Sequence, residues 1–362
     1  MKRRHFELLE PVCPVCRLSG NSDSPLQIKR VDLEANEIIE QGLLICSSPD
    51  CQREYPIIDG IPILVSDLQE FLNNQILMYG FRSDLSETLE SVIGDCCGPS
   101  STFGQMRQQI SSYGWGHWAD LCLPRENNLE LGAGSTLELL TVLNNLMGEM
   151  VSGPRLEIGC AVGRQSFELA KQTSDLVLGV DLNLGMLRIA SSLLRTAEAT
   201  LSIRRTGLVY ERRRIRLPEA PPENLDFWAC DALALPFRDG QYSQVVALNV
   251  LDSVHDPLAL LQAIAKVMRE GGSAGLSCPY DWSDQVTPVG NWLGGHSQRS
   301  LLRGESTAVL EALLAESANC DLVDLAKVAQ ADNLPWHVRL HDRSTMSYLV
   351  HLFVLEKGRN RN

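Results

Sequence analysis

The sequence predicts an α/β fold, with a mostly parallel sheet from about residue 154 onward and a small cysteine-bearing β domain ahead of it. Three observations carry that expectation. Short apolar runs alternate with helical patterns after Pro154, the signature of strands joined by crossover helices. One run, "RLEIG", passes straight into "CAVGRQSFELAK", which reads as a strand, a glycine-bearing turn and the start of a helix. Four cysteines fall in two close pairs well upstream of this pattern.

Taken in order, the first region spans residues 1–66. "CPVC" (Cys13, Cys16) and "CSSPDC" (Cys46, Cys51) each place two thiols on a tight turn, as a tetrahedral structural zinc ion requires. The second pair is looser than C-x-x-C, and 29 residues separate Cys16 from Cys46. Four reduced cysteines in a metal-free β domain are therefore the alternative reading. The stretch "REYPIIDGIPILV" after the second pair resembles the end of the small zinc-ribbon proteins that activate RNA and protein methyltransferases. That resemblance covers about residues 8–66 and implies a partner-like zinc-ribbon module fused in cis.

Residues 67–150 read as a helical linker and lid. "LQEFLNNQILMYG" has helical periodicity, and a second helix is expected from Ser135 to Met150. Between them, "SSYGWGHWADL" gathers Tyr113, Trp115, His117 and Trp118, which serve either as core or as a wall over the active site, with Tyr113 a candidate substrate contact.

Residues 151–362 form the main domain. "RLEIG", "LVLGVDL", "LDFWACDA", "SQVVALNV" and "GGSAGLSCPY" are five successive strands, and "YLVHLFVLEKG" supplies a late one. In such sheets the ligand sits at the carboxyl ends of the strands. Glu157, Gly159 and Gly163 give E-x-G-x-x-x-G at the first turn, where missing side chains let backbone approach a ligand beside a helix N-terminus. Asp181 ends the second strand, placed for ribose hydroxyls, and Asp231 ends the third, placed for an adenine amino group. A dinucleotide G-x-G-x-x-G laid on Gly159 would need glycines where the chain has Ala161 and Arg164, which disfavours an oxidoreductase.

This pattern resembles the class I S-adenosylmethionine-dependent methyltransferases. The resemblance implies a Rossmann-like seven-stranded sheet with S-adenosyl-L-methionine as cofactor. It places the cofactor site at Glu157, Gly159, Ala161, Gly163, Arg164, Asp181, Leu182, Met186, Asp231, Ala232 and Asn249. Arg164 reads either as a neighbour of the methionine carboxylate or as a solvated helix residue. "GCAVGRQSFELA", "ALNVLDSVHDP" and "SCPYDWSDQVTPVGNWLGG" are together similar to the methyltransferase domain of ovothiol synthase, over about residues 110–358. In that family the first turn also carries Ala, and the acceptor is an imidazole nitrogen. The chain departs from it in lacking an iron-dependent sulfoxide synthase region, so the resemblance speaks to fold and cofactor more than to the acceptor.

Methyl transfer from a sulfonium is an in-line displacement that asks chiefly for orientation and exclusion of water. Candidate catalytic residues are therefore those at the ends of the fourth and fifth strands: Asp252, Tyr280 and Trp282. Trp292 and His296 of "NWLGGH" join Tyr113 as candidate substrate contacts. In "WHVRLHDRS", Arg339, His341 and Arg343 alternate as they would on one strand face, with Arg339 and Arg343 either binding an anionic substrate group or lining a solvated edge.

Composition bounds the rest. At 362 residues, 44% hydrophobic and 21% charged, the chain can bury a full-sized core. No apolar run approaches the roughly 20 residues that span a bilayer, and "MKRRHFELLE" leads into Pro11 and Cys13 rather than an apolar signal core, so a cytoplasmic location without membrane partners is expected. Eleven cysteines, an odd number, argue against a disulfide framework. The net charge of −13 disfavours adhesion to nucleic acid through the whole surface. Against it stands an insertion at 202–224 with six arginines between Arg204 and Arg216, either an RNA or acidic-partner contact or a solvated hairpin. A small-molecule acceptor is favoured, with RNA or protein as the alternative substrate and a non-catalytic binding role as the third reading.

Overall fold

The computed structural model describes residues 1–358 except 20–23, 36, 59, 75–81, 83, 123–130, 149–150, 316–321 and 323–324. Two compact units result: Met1–Gln109 with Arg204–Arg212, and Ile110–Ile203 with Arg213–Asn362.

The first unit opens with the short helices α1 (Arg3–Leu9) and α2 (Pro14–Leu18), Pro14 taking the first helical position, where its missing N–H costs nothing. An antiparallel sheet follows, ordered β1 (Leu26–Ala35), β2 (Ile38–Cys46), β3 (Glu54–Ile58) and β4 (Ile61–Pro62). The near-continuous apolar run "IIEQGLLIC" makes β2 an inner strand. Helix α3 (Leu68–Asn74) covers the first part of the expected linker helix, and 75–80 lie outside the described residues. Helix α4 (Glu87–Cys97) starts where Ser86 Oγ accepts from Leu89 N–H at 3.2 Å, with Glu87 and Glu90 favourably placed in the first turn. Leu43, Ile58, Leu72, Leu89, Ile93 and Phe103 pack as one core beneath these helices.

Helix α5 (Thr102–Cys122) and the paired strands β7 and β8, given below, contribute residues to both units. In the second unit, α6 (Thr136–Met147) is the helix expected at 135–150, of which 149–150 lie outside the described residues. Then β5 (Arg155–Ile158), α7 (Arg164–Lys171), β6 (Val177–Asp181) and α8 (Leu184–Thr196) alternate. The arginine-rich insertion folds as β7 (Glu198–Thr206) and β8 (Val209–Arg216), a two-stranded sheet of its own. The alternation resumes with β9 (Leu225–Ala229), β10 (Tyr242–Leu248), α9 (Pro257–Val267), β11 (Met268–Cys278) and α10 (Ser306–Ala315), and closes with β12 (Leu325–His341) and β13 (Ser344–Lys357).

The seven-stranded sheet is ordered β12-β13-β11-β10-β5-β6-β9, with β11, β10, β5, β6 and β9 mutually parallel and the β12–β13 hairpin antiparallel at one edge. Chain order reverses direction between β5 and β10, which makes that junction the switch point where an open α/β sheet offers a crevice. Every expected strand is present. The start of β12 was not expected, because "LAKVAQADN" lacks the apolar runs of its inner neighbours. One expectation is corrected: β12 ends at His341 and Arg343 lies in the turn, so Arg339, His341 and Arg343 do not share a strand face. Among the described residues no helix is long and apolar enough to cross a membrane.

The sheet's packing against α6 turns on one glycine. A Cβ added to Gly275 in β11 would lie 2.3 Å from Leu143 Cδ1 on α6, and Leu143 is fully buried. Gly275→Ala is therefore expected to cost about 1–3 kcal/mol by overpacking. Urea unfolding should show a lower midpoint at unchanged slope, and an unchanged midpoint would show that α6 can shift freely.

Candidate active site

The turn after β5 is fixed by its backbone. Gly159 N–H and Cys160 N–H both donate to Val180 O on β6, at 2.8 and 3.0 Å. Gly159 has φ +72°, and a Cβ there would lie 2.5 Å from Val250 Cγ2; Gly163 has φ +86°, with Phe227 and Ala190 within 2.8 Å of an added Cβ. Both positions need glycine. Ala161 is also left-handed, at φ +48°, a conformation costing an L-residue about 1–2 kcal/mol.

Asp181 closes over this turn. Its Oδ2 accepts from Ala161 N–H at 2.9 Å and its Oδ1 from Asn183 N–H at 2.7 Å. Each oxygen keeps a further lone pair, so two adjacent acceptors face outward, matching a vicinal diol. Glu157 beneath the turn is 1% exposed; one oxygen bonds to Ser166 Oγ, Oε1 has no partner, and burial pushes its carboxyl up to about 7. Leu182 is exposed and Met186 buried beside Asp181. Asp231 Oδ1 accepts from Leu233 N–H at 2.9 Å, next to the half-buried Ala232. Asn249, left-handed at φ +56°, accepts from Ser277 Oγ at 2.8 Å.

Helix α5 braces the turn from the other side. Trp118 Nε1 donates to Val162 O at 2.9 Å, and His117 Nδ1 accepts from Arg164 N–H at 3.3 Å. Gly163 offers no side chain to cap α7, and the imidazole takes that part. Burial, then the Arg164 charge, push the His117 pKa down to about 3, so the ring is neutral, with its acceptor nitrogen toward the helix. The Arg164 guanidinium bonds to Asp120 through two contacts of 3.1 Å, lies 3.3 Å from Glu168 and sits 4.8 Å over the Trp118 ring. Arg164 thus fastens α5 to α7. Trp115 and Trp118 are core, whereas Tyr113 is 37% exposed.

Beyond β10 and β11 the candidate residues divide into two groups. Tyr280 is left-handed at φ +56°, with its hydroxyl 2.8 Å from Nδ1 of the buried His351. Trp282 Nε1 donates to Ser306 Oγ at 3.1 Å, its ring stacks on Trp292 at 6.2 Å, and Trp292 Nε1 donates to Thr287 O at 2.7 Å. His296 is exposed, and Arg339 pairs with Asp342 beneath a 4.1 Å contact to the Trp115 ring. Arg343 is exposed. These groups are tied to one another or to their own loops.

The second group converges. Asp252 is 6% exposed, and its Oδ2 accepts from Asp281 N–H at 2.8 Å. Burial, then the Asp281 charge, raise its carboxyl above the usual carboxylate range, against the opposing pull of that N–H. Tyr348 donates to Asp281 Oδ2 at 3.0 Å. Protein crowds the Tyr113 hydroxyl, raising its pKa with help from Asp181 and Asp252; Tyr348 is pushed up to about 12 by burial, then by Asp281, Asp252 and Tyr113. Tyr348, Asp281 and Asp252 are thus joined in one hydrogen-bonded chain, and the Tyr113 hydroxyl lies within electrostatic reach of Asp181, Asp252 and Tyr348. Tyr348 and Asp120 carry no motif in the sequence, and the helical i, i+4 spacing of Tyr113 and His117 is the signal that joins those two.

In the first unit, Cys13, Cys16, Cys46 and Cys51 have their sulfurs within 4.8 Å of one another, Cys13 to Cys51 at 3.9 Å and Cys16 to Cys46 at 3.7 Å. Zn–S bonds of about 2.3 Å in a tetrahedron imply S···S edges of about 3.8 Å, so the donor set fits zinc. The Tyr55 hydroxyl lies 3.1 Å from Cys13 Sγ.

The strand order and the ligand-facing turn at its switch point define the architecture of a class I S-adenosylmethionine-dependent methyltransferase. Residues 156–276 match the family described as a methyltransferase domain, and the chain is a methyltransferase by that domain. The methyltransferase GfsG of Streptomyces halstedii is 24% identical over 221 residues, 60% of this chain and 68% of that protein. A demethylmenaquinone methyltransferase of Lactococcus lactis is 27% identical over 128 residues, 35% of this chain and 42% of that protein. A solved S-adenosylmethionine-dependent methyltransferase from Methanosarcina mazei is similar over 60% of this chain and 97% of its own, at 19% identity and a TM-score of 0.39.

The His117 cap makes stability depend on pH. A histidine whose folded pKa is depressed contributes stability that is full above its unfolded value near 6.5 and is lost as pH falls toward about 3. Between pH 6.5 and 4.5 the wild type should lose about 2 kcal/mol relative to His117→Gln, which takes up no proton. Denaturant unfolding at the two pH values measures this, and parallel curves would place the imidazole in water.

Proposed function

We propose that this methyltransferase modifies a nitrogen of a small molecule held beside Tyr113, Asp252, Asp281 and Tyr348, and that its four-cysteine site holds structural zinc. The hydrogen-bonded chain from Tyr348 through Asp281 to the buried Asp252, just beyond the strand ends, is the observation that carries the reading. S-adenosylmethionine, when bound, supplies an electrophilic methyl on a sulfonium. On this reading Asp181 holds the ribose hydroxyls and Asp231 the adenine amino group. The unpartnered, buried Oε1 of Glu157 accepts from the cationic amino-acid end. The chain's remaining part is to orient the acceptor and exclude water, through Tyr113 and Tyr348.

The arginine-rich strands favour a small acceptor over RNA. Arg205 pairs with Glu211, Arg212 with Glu90 at 2.8 Å and Arg216 with Glu198 at 3.4 Å, so these charges are already answered by carboxylates of the chain itself. Counterion release on phosphates would have to compete with those pairs.

Incubation with methyl-labelled S-adenosylmethionine, a set of small imidazoles and amines, and total RNA tests the acceptor class. Label is expected in the small-molecule fraction. Label confined to RNA or protein would overturn the reading.

For the metal, about one zinc per chain is expected by elemental analysis, and Cys46→Ser should lower it and make residues 1–66 protease-sensitive, because the binding free energy of a structural zinc is folding free energy. A metal-free, protease-resistant first region would leave the four thiols as packing alone.

A further inference from the structure

We infer that Tyr348 and Asp281 are specificity determinants that hold a positively charged nitrogen of the acceptor, one other than the nucleophilic nitrogen, which must keep its lone pair, an inference resting on the small-nitrogen-acceptor reading above. Strand β13 pairs with β11 only as far as the Cys278–His351 register, the carboxyl end of β11. Residues 344–350 and their partners on β12 run on past it, an overhang of about 20 Å at roughly 3.3 Å per residue. That overhang stands on the side of the sheet where open α/β folds bind ligands. It is anchored there by Ser135 Oγ, which donates to His337 O at 3.3 Å, and by Arg339 against Trp115.

Tyr348 sits on this overhang with its ring stacked on Trp336 at 5.2 Å and 29°. Its hydroxyl meets Asp281, which reaches it because the left-handed turn at Tyr280 sends the Tyr280 side chain to His351 and leaves Asp281 beside Asp252. Asp252 is nine-tenths buried, and among the described residues no lysine or arginine pairs with Asp252 or Asp281. Asp281 is exposed, so the cost of a carboxylate left without a cation falls on the buried Asp252, with Asp281 the member open to an incoming ligand. A sulfonium supplies one positive charge there, and two aspartates invite a second from the acceptor. The aromatic pair Trp336–Tyr348 offers a π face to the same cation. Arg339, which would suit an anionic group, is engaged with Asp342.

Two probes of similar shape and opposite charge test this: histamine and imidazole-4-acetate, titrated calorimetrically into the full chain saturated with S-adenosylhomocysteine. The wild type should bind histamine at least about tenfold more tightly. Asp281→Asn should reduce that preference about tenfold and Tyr348→Phe by about threefold or more, on the scale of a lost charge-assisted hydrogen bond. S-adenosylhomocysteine affinity and the thermal midpoint serve as controls for folding, and Tyr348→Phe keeps the ring on Trp336. A histamine preference undiminished in a folded Asp281→Asn would overturn this pair while leaving a nitrogen acceptor in place. A preference for imidazole-4-acetate would overturn the cationic acceptor, and wild-type binding of neither probe would remove the nitrogen acceptor together with it.

Discussion

The second unit depends on how the turn between β5 and α7 is held. A backbone that must leave a strand, present itself to a ligand and start a helix within six residues cannot be fixed by its own side chains, since two of those residues are glycine. It is held from outside instead: Val180 O and the Asp181 carboxylate take amides from the β6 side, and Trp118 and His117 take a carbonyl and the first helical amide from α5. The pKa of His117 follows from that position, because an imidazole that caps a helix in a fully buried site must stay neutral. Arg164 follows too, its charge answered by Asp120 and Glu168 and its plane laid on Trp118.

With the turn fixed, the charge around the cleft becomes one-sided. Glu157 with an unpartnered oxygen, Asp181, Asp252 and Asp281 lie at or just beyond the carboxyl ends of β5, β6, β10 and β11, and Arg164 and Arg339 are held in ion pairs of their own. A cationic cofactor suits such a place in a way that a dinucleotide pyrophosphate does not, because the same aspartates that would accept hydroxyl and ammonium protons would repel phosphates. The crowding of carboxylates and the missing glycines at 161 and 164 thus disfavour the same alternative by independent routes.

What the sequence made legible was local. The strand runs, the E-x-G-x-x-x-G turn, the strand-end aspartates and the cysteine pairs depend on spacing within a few residues, and spacing survives in one dimension. The overhang of β12–β13 did not, because it is defined by where β11 stops, some seventy residues earlier in the chain. Nor did the division of "CPYDW", since residue order does not tell which of three neighbouring side chains faces the cleft. Tyr280 and Trp282 have their hydroxyl and indole N–H committed to His351 and Ser306, and the cleft receives Asp281. The role of His117 was hidden in an aromatic cluster in which Trp115 and Trp118 are buried and Tyr113 is exposed.

That division has a backbone cause. For a residue that follows a strand, alternation would send Asp281 and Tyr280 to opposite faces only if the chain stayed extended, yet the loop must also return toward Trp292 and α10. A left-handed Tyr280 accomplishes both, at a strain of about 1–2 kcal/mol. Its hydroxyl contact with His351 and the packing of Trp282 on Trp292 and Gly295 offset that strain with interactions buried away from the ligand. The aromatic residues of this motif therefore act on the cleft through the loop they stiffen, and the side chain they deliver to it is a carboxylate. On the proposed reading an acceptor there would be read by charge first and by aromatic surface second, the surface coming from Tyr348 on its stack with Trp336.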